Sequence, residues 1–391
     1  QIVWFISGFI FMVIFTFVSY KYLGDYSLYI YLFFLLLLLI TTFFGTPVRN
    51  TRAWISFGFF SIQPSEFMKL AVVFILGKYL EMREREIRNL RELVIPSVLT
   101  IVPMMIILLQ PDFGTAVLFI PILFTMLFVG GADVTHLLSI ICIAAIATVV
   151  PMVLTYREWI GASGSNFMLD FFKDINLLFA VSGILLLVAV LLYAVHFFFP
   201  GKVYRRLYIP ATILSFGLFF SVVIQKILKE YQKRRILVFL NPDLDPHGSG
   251  YNVIQSKIAV GSGGFFGKGF LNGSQSQLGF LPEKTSDFVF SVFAEEWGFF
   301  GSIILLGLLA LIVLRGIQIA FESKDKYGAL LASGIVAILF FHVLINVGMV
   351  IGIMPVTGLP LPFVSYGGSN LMMSMMAVGI LINIRMRKFV Y

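Results

Sequence analysis

The chain has 391 residues, of which 59% are hydrophobic and only 12% are charged, with a mean hydropathy of +0.97. Soluble domains carry about 25% charged residues, so this composition excludes an ordinary cytosolic enzyme. It also excludes a nucleic-acid-binding protein whose basic patch would explain the net charge of +8 and the pI of 9.4. Cys142 is the only cysteine, which excludes a disulfide-stabilised secreted protein.

Eleven apolar runs are long enough to cross a membrane as helices. A helix crossing the hydrocarbon core needs about 20 mostly apolar residues, and these runs are too long and too continuously apolar for barrel strands. We therefore predict an all-α polytopic membrane protein, with a further span expected before the run that opens directly after Gln1. The predicted spans are 2–19, 28–44, 63–80, 93–109, 113–129, 137–155, 177–196, 207–225, 287–314, 328–350 and 363–384.

Basic residues predict how these spans are oriented. Lys and Arg gather in 83–91, 202–206 and 385–388, and the positive-inside rule places all three segments in the cytoplasm. An even number of spans separates them, so the assignment is consistent. The loops 45–62, 110–112, 156–176, 226–286 and 351–362 are then on the outer side.

The long loop 226–286 has the least usual composition. It opens with a basic cluster that is either a solvated helix end or a rim that attracts an anion. Farther on, the glycine-dense run 255–269 contains Lys257 and Lys268 but lacks the spacing of a nucleotide-binding motif. This run is either a cradle that turns N–H groups toward a pyrophosphate or a re-entrant turn. The basic cluster comprises Lys226, Lys229, Lys233, Arg234 and Arg235.

Asp287 is the strongest candidate for chemistry. We expect it in the first turn of the ninth span, after a capping residue at 285 or 286, with its carboxylate at the outer membrane surface. An acid in that position either complements the helix dipole or has a functional role. Glu295 and Glu296 lie deeper in the same span, where acids need partners or water.

Other polar residues converge on the same side. Glu66 and Lys69 are three positions apart after Pro64, so they share a helix face and can pair. The pair is either self-neutralising or part of the wall of a substrate cavity. The four histidines show no metal-ligand spacing. Four more polar candidates on the outer side are Arg52, Gln110, Asp112 and Ser365.

Several motifs occur together in an order that resembles the SEDS family (shape, elongation, division and sporulation), and its elongation members more than its division members. They are Gln63–Lys69, Gln110–Ala116, Gln255–Gly264, Asp287–Phe288 with Ala294–Glu296, and Pro360–Ser369. The resemblance extends over nearly the whole chain.

The resemblance implies a peptidoglycan glycosyltransferase that polymerises lipid II at the outer face of the bacterial inner membrane. Asp287 matches the essential aspartate of the family and would act as the base, while Glu66 and Lys69 match its charged cavity residues. Lys or Arg groups, or a divalent ion such as Mg²⁺ or Mn²⁺, would stabilise the departing pyrophosphate. The implied partners are lipid II, a class B penicillin-binding protein and the membrane proteins of the elongation complex.

The chain also departs from the family pattern. Ala53 replaces the arginine that precedes the family's tryptophan, with Arg52 one position earlier, and Thr285-Ser286 replaces His-Thr before the aspartate. Family members have ten spans, whereas eleven are predicted here after a missing first one, so we expect a two-helix insertion at 157–210. The chain then forms one transmembrane domain, 1–391, with an extracytoplasmic loop at 226–286. A lipid II flippase and a non-catalytic scaffold of the wall-synthesis complex are the alternatives.

Overall fold

The computed structural model describes residues 1–48, 51–56, 58, 60–160, 174–199, 201–227, 238–244, 250–281 and 283–388. These residues form fourteen α-helices, two short 3-10 helices and three short strands. The helices are α1 (Ile2–Phe17), α2 (Tyr20–Asp25), α3 (Ser27–Phe44), α4 (Pro64–Met82), α5 (Val94–Leu109), α6 (Phe113–Gly130), α7 (Val134–Ile160), α8 (Ile175–Phe198), α9 (Lys202–Ile227), α10 (Tyr251–Ser262), α11 (Ser274–Gln277), α12 (Val289–Glu322), α13 (Lys326–Val350) and α14 (Gly368–Arg387). The 3-10 helices are Leu90–Leu93 and Pro242–Leu244.

Each of the eleven predicted spans corresponds to a helix in the described residues. Nine of these helices are long and apolar enough to cross a membrane. The other two are α1, with 16 residues, and α4, whose 19 residues include four charged side chains. The protein is therefore a multi-pass helical membrane protein, as predicted.

The most enclosed helices are those that carry the polar side chains. The apolar windows of α13 and α14 are 72% and 78% buried, against 17% for α8. Nearly every residue of the first three turns of α4 is also buried. Polar groups inside a membrane protein are stable only where protein surrounds them, so α4, α13 and α14 form the polar centre of the bundle.

The segment 45–62, which we predict to lie on the outer side, contains a small antiparallel sheet that was not predicted. Its strands are β1 (Thr46–Val48), β2 (Thr51–Ser56) and β3 (Ser61–Ile62). Thr46 pairs with Trp54 and Ile55 pairs with Ile62, so the order is β1-β2-β3. Three strands of two to six residues give too little alternation for a sequence pattern to identify.

The ninth predicted span is not a continuous helix, in contrast to our expectation. Gly298 interrupts α12 with φ 66° and ψ −162°. The loop after α10 fills the interruption: the N–H groups of Lys268 and Gly269 donate to the carbonyls of Glu295 and Glu296, at 3.0 Å each. In return, Phe299 N–H donates to Gly264 O at 2.9 Å. Residues 264–269 are thus joined to α12 at its break, and we call the segment 252–281 that contains them the glycine-rich segment.

Two compact units make up the chain. The first comprises Gln1–Asp133 and Asn252–Tyr391, and the second comprises Val134–Tyr251. In the second unit α8 and α9 pack through Leu178, Leu218 and Val222, and Ser215 Oγ donates to the carbonyl of Ser182 at 2.8 Å. Of the basic cluster, only Lys226 is described, with its ammonium over the Phe179 ring; the other four residues lie outside the described ranges.

Candidate active site

Asp287 lies in a turn just before α12, not in its first helical turn as predicted. The helix begins at Val289, and its N-cap, Phe288, has no side-chain capping bond. The carbonyls of residues 285–287 are instead bonded to other parts of the chain. The helix therefore begins two residues later than expected, and the segment before it is bonded to other parts of the chain.

Three consecutive carbonyls of this segment each accept a hydrogen bond. Tyr366 N–H donates to Thr285 O at 2.8 Å, and Ser365 Oγ donates to Ser286 O at 2.6 Å. Asn346 Nδ2 donates to the carbonyl of Asp287 at 2.9 Å. We call these three bonds the backbone clamp. They fix the main chain of Asp287 while its side chain remains partly exposed.

The segment from 351 to 367, which we call the outer loop, supplies much of the clamp. Ser365 is 3% exposed, and its hydroxyl also accepts from Leu361 N–H at 2.7 Å. Gly358 lies beside the aspartate in the left-handed region, with φ 76°, and a Cβ added there would be 3.3 Å from Asp287 Oδ2. The structure thus places Ser365 under the Asp287 segment, where its visible role is to hold the main chain.

Glu66 and Lys69 form the predicted pair, with 2.9 Å between Lys69 Nζ and Glu66 Oε1. Both are buried, at 2% and 0% exposure. Asn370 Nδ2 donates to the second Glu66 oxygen at 2.9 Å, and Lys69 Nζ is 2.8 Å from His342 Nε2. The carboxylate and the ammonium are therefore surrounded by protein partners from α4, α13 and α14.

Asp112 connects two outer segments. Its side chain caps α6 by accepting from Thr115 N–H at 3.1 Å, and it accepts from Gln63 Nε2 at 2.8 Å. Removal from water raises the pKa of the Asp112 carboxyl above its usual value, although the bond from Thr115 opposes the shift. Asp112 therefore ties the start of α6 to the residue that precedes α4.

Gln110 is 1% exposed and joins the end of α5 to α3. Its Nε2 lies 2.9 Å from both the carbonyl of Leu38 and the hydroxyl of Thr41. These contacts are with protein groups, and they leave the side chain little access from outside. The role of Gln110 as a substrate ligand stays a prediction, and its visible role is to join two helices.

The two lysines of the glycine-dense run differ. Lys268 Nζ pairs with Glu295 Oε1 at 2.9 Å, so this ammonium already has a carboxylate partner inside the protein. Glu295 is fully buried and therefore needs a partner, as predicted, and Lys268 provides it. The N–H groups of Lys268 and Gly269 bond to α12, so they do not form the open anion cradle that was one of our two interpretations.

Lys257 and Arg52 are exposed and have no ion-pair partner among the described residues. Lys257 lies across Gly352, a left-handed glycine of the outer loop with φ 76°; a Cβ there would collide with the lysine Cε. The neighbouring Ser256 Oγ contacts Ser291 Oγ at 2.7 Å, one helical turn beyond Asp287. Lys257 is thus held on the same outer loop that borders the aspartate.

Sequence reasoning missed His342 and Asn346. Both are 0% exposed, and they lie four residues apart on α13, hence on one face of a very apolar helix. That pattern, two polar residues on one face of a membrane span, is itself a functional signal. Metal-ligand spacing, which His342 lacks, does not reveal this pattern.

No three His, Cys, Asp or Glu side chains come together in a way that could hold a metal, within the part of the chain that the structure describes. The residues around Asp287 therefore do not provide a complete ligand set of their own. The divalent ion implied by the family resemblance stays a prediction.

Comparison with known proteins now identifies the family. The family model described as "Cell cycle protein", for FtsW, RodA and SpoVE, matches residues 1–160 and 180–389. Peptidoglycan glycosyltransferase RodA of Treponema pallidum is 38% identical over 395 residues, covering 99% of this chain and 89% of the relative. Peptidoglycan glycosyltransferase MrdB of Escherichia coli K12 is 34% identical over 377 residues, covering 96% and 82%.

A solved structure has the same fold. It is described as "Structural coordination of polymerization and crosslinking by a peptidoglycan synthase complex" and superimposes with a TM-score of 0.69 at 28% identity, covering 100% of this chain and 90% of its own. The resemblance inferred from the motifs is confirmed, and the chain belongs to the FtsW/RodA/SpoVE family.

Proposed function

We propose that this chain is a peptidoglycan glycosyltransferase that polymerises lipid II into glycan strands during cell elongation. Two relatives that carry that activity in their names align with nearly the whole chain. The chain is a multi-pass membrane protein, and we place it in the bacterial inner membrane with Asp287 on the outer side, where the positive-inside rule puts the loop before α12.

The observation that carries the proposal is the geometry of Asp287. Asp287 as a residue is partly exposed, while the backbone clamp holds its segment through three successive carbonyls. General base catalysis needs a carboxylate that a substrate hydroxyl can reach, fixed to within a fraction of an ångström. Among the candidate acids, Glu66 and Glu295 are too deeply buried for that role.

In this mechanism Asp287 accepts the proton of the 4-hydroxyl on the N-acetylglucosamine of the acceptor. That oxygen forms a bond to the anomeric carbon of the donor's N-acetylmuramic acid, and the bond from this carbon to the pyrophosphate oxygen breaks. Undecaprenyl pyrophosphate leaves with the bonding electron pair. Because the donor linkage is α and the product linkage is β, one inverting displacement is sufficient.

Lys257 and Arg52 are the cations that we assign to the leaving pyrophosphate. Both are exposed on the predicted outer side, and neither has an ion-pair partner among the described residues. Positive groups fixed near a developing phosphate charge lower the barrier most effectively when they need no rearrangement. Lys268 is a weaker candidate, because Glu295 already binds its ammonium.

The test is polymerisation of lipid II by purified protein, with Asp287→Asn beside the wild type. Loss of a general base typically lowers the rate about 10²- to 10⁴-fold, and we expect a loss in that range with the protein still folded. Asp243→Asn, at an exposed acid in the predicted extracytoplasmic loop 226–286, is the matched control and should polymerise normally. Glycan strands of normal length and rate from Asp287→Asn would eliminate the base assignment.

A lipid II flippase is the second candidate, and the break in α12 is the observation that favours it. Broken helices bind substrates in many transporters, usually in two related halves. Among the described helices, only α12 contains a non-helical residue, so the paired arrangement is not present there. Proteoliposomes with labelled lipid II separate the two functions: polymer supports the transferase, and translocation without polymer supports the flippase.

We further propose a class B penicillin-binding protein as partner. The support is the structural neighbour, which is described as a complex that coordinates polymerisation with crosslinking. A transpeptidase bound to the same protein would receive the new strand where it forms. Polymerisation measured with and without the purified partner tests this proposal, and an identical rate together with no co-purification would contradict it.

A further inference from the structure

Glu66 and Lys69 have a clear chemical identity but no access to a substrate. Their side chains are 2% and 0% exposed, and each polar end is bonded to protein groups. A lipid-linked sugar could touch them only by displacing the protein groups that bond to them. Any effect of Glu66 and Lys69 on the reaction must therefore act through other residues.

The contacts lead from this pair to His342. Its Nε2 is 2.8 Å from Lys69 Nζ, and its Nδ1 is 3.2 Å from the carbonyl of Pro360. A carbonyl oxygen can only accept, so Nδ1 carries the proton; an ammonium can only donate, so Nε2 accepts. The imidazole is thus a neutral connector with a defined tautomer between the buried ion pair and the outer loop.

The next turn of α13 completes the connection. Asn346 Nδ2 donates to Leu359 O at 2.6 Å and to Asp287 O at 2.9 Å. His342 and Asn346 therefore hold two neighbouring carbonyls of the outer loop, those of Pro360 and Leu359, from one helix face. The outer loop in turn supplies Ser365 and Tyr366 to the backbone clamp.

We propose that Glu66, Lys69, His342 and Asn346 act as a positioning network that sets the location of the Asp287 carboxylate, and that none of the four binds the substrate. The inference rests on the proposed role of Asp287 as base. The ion pair orients the imidazole, the imidazole and the amide hold the outer loop, and the outer loop holds the aspartate. A displacement at any step moves the base relative to the reacting hydroxyl.

The deciding variant is His342→Phe, which keeps a ring and removes both hydrogen bonds. A misplacement of about 1 Å can cost about 100-fold in rate, so we expect kcat for lipid II polymerisation to fall about 10- to 100-fold. KM for lipid II should stay within about twofold, because a positioning residue contributes no uniform binding energy. Ser333→Ala is the control: this buried hydroxyl on α13 bonds only to its own helix, at Leu330 O, and the variant should behave as wild type.

A double-mutant cycle tests whether the network acts as one unit. If Lys69 acts through His342, Lys69→Met and His342→Phe should each lower kcat, and the double variant should be little worse than either one. If Lys69 touches the substrate instead, Lys69→Met should raise KM and the two effects should multiply. That second pattern would overturn the inference.

Two further measurements separate positioning from loss of the fold. Thermal unfolding and lipid II binding should be close to wild type in a variant that has lost only the positioning of the base. His342→Gln, which can keep one of the two bonds, should recover part of kcat. If His342→Phe cannot be purified as a monodisperse protein, His342→Gln decides in the same assay. Normal kcat in His342→Phe, or in His342→Gln where only that variant can be purified, overturns the positioning network while leaving the Asp287→Asn result, and hence the proposed function, unaffected.

Discussion

Gly358→Ala probes the space beside the proposed base with the smallest available change. Gly358 has φ 76°, and the added methyl group would be 3.3 Å from Asp287 Oδ2. A Cβ contact of 3.0–3.4 Å is tighter than nine in ten of those found in proteins, so the carboxylate must move by a few tenths of an ångström. If about 1 Å costs about 100-fold, that displacement should lower kcat about 4- to 10-fold.

The same substitution also strains the backbone, and this effect needs its own control. A left-handed non-glycine residue costs about 1–2 kcal/mol. Gly131→Ala carries the same type of strain, since Gly131 has φ 96°, but its added methyl group meets no atom within 4 Å. The two variants should therefore lose similar thermal stability, while only Gly358→Ala should lose kcat.

The assay is steady-state lipid II polymerisation per folded molecule, with thermal unfolding of the same preparations. Equal kcat in the two alanine variants would refute the reasoning, because it would show that the position of the Asp287 carboxylate near Gly358 does not limit the reaction. A rise in KM without a fall in kcat would contradict it as well, since that result indicates lost binding.

Two predictions concern stability. Lys268→Met removes the ammonium that pairs with Glu295, which keeps the hydrogen bonds from Ser274 and Gln275. Breaking a fully buried pair costs about 3–5 kcal/mol, and we expect a smaller loss here because Lys268 is 30% exposed. The double variant Lys268→Met/Glu295→Gln should recover most of this loss in thermal unfolding, and an equally unstable double variant would contradict the explanation. Burial raises the pKa of Asp112, so the folded chain keeps this proton to higher pH than the unfolded chain. The contribution of Asp112 to stability is then largest below its unfolded pKa and declines as the pH rises through its folded pKa. Asp112→Asn should remove that part of the pH dependence of the melting temperature, and an unchanged profile would show that Asp112 does not cause it.

Properties that depend on local composition could be predicted from the sequence. All eleven spans correspond to helices because the length and hydrophobicity of each apolar run are enough to predict a membrane-spanning helix, whatever the rest of the chain does. The start of α4 at Pro64 and the pairing of Glu66 with Lys69 also follow from short spacings. Asp287 could be identified as a candidate for the same reason, since its position at the start of the ninth predicted span depends only on neighbouring residues.

What the sequence could not show depends on contacts between distant segments. The break at Gly298 exists because main-chain groups of residues 264–269 satisfy the carbonyls that the helix leaves unpaired. Asp287 lies outside the helix because Asn346, Ser365 and Tyr366 bond its segment. Such partners are 59 to 81 residues away in the chain, and neither periodicity nor capping rules contain that information.

The same separation explains why the roles of the polar candidates had to be revised. A lysine and a glutamate on one helix face look alike in a sequence whether they line a cavity or lie beneath a loop. Only the positions of α13 and α14 show that Glu66 and Lys69 are enclosed. The contribution of His342 is likewise invisible until Lys69 and Pro360 are seen on either side of its ring.

The break in α12 has a consequence for the order in which the protein is made. The glycine-rich segment is synthesised first, but the groups that bond to its main chain, from Glu295 to Phe300, emerge from the ribosome later. Gly263 and Gly267 approach the carbonyls of Ala294 and Glu296 so closely that neither position has room for a side chain. These main-chain bonds can therefore form only after the first turns of α12 have left the ribosome. The maturation of this site is coupled to a late step of translation.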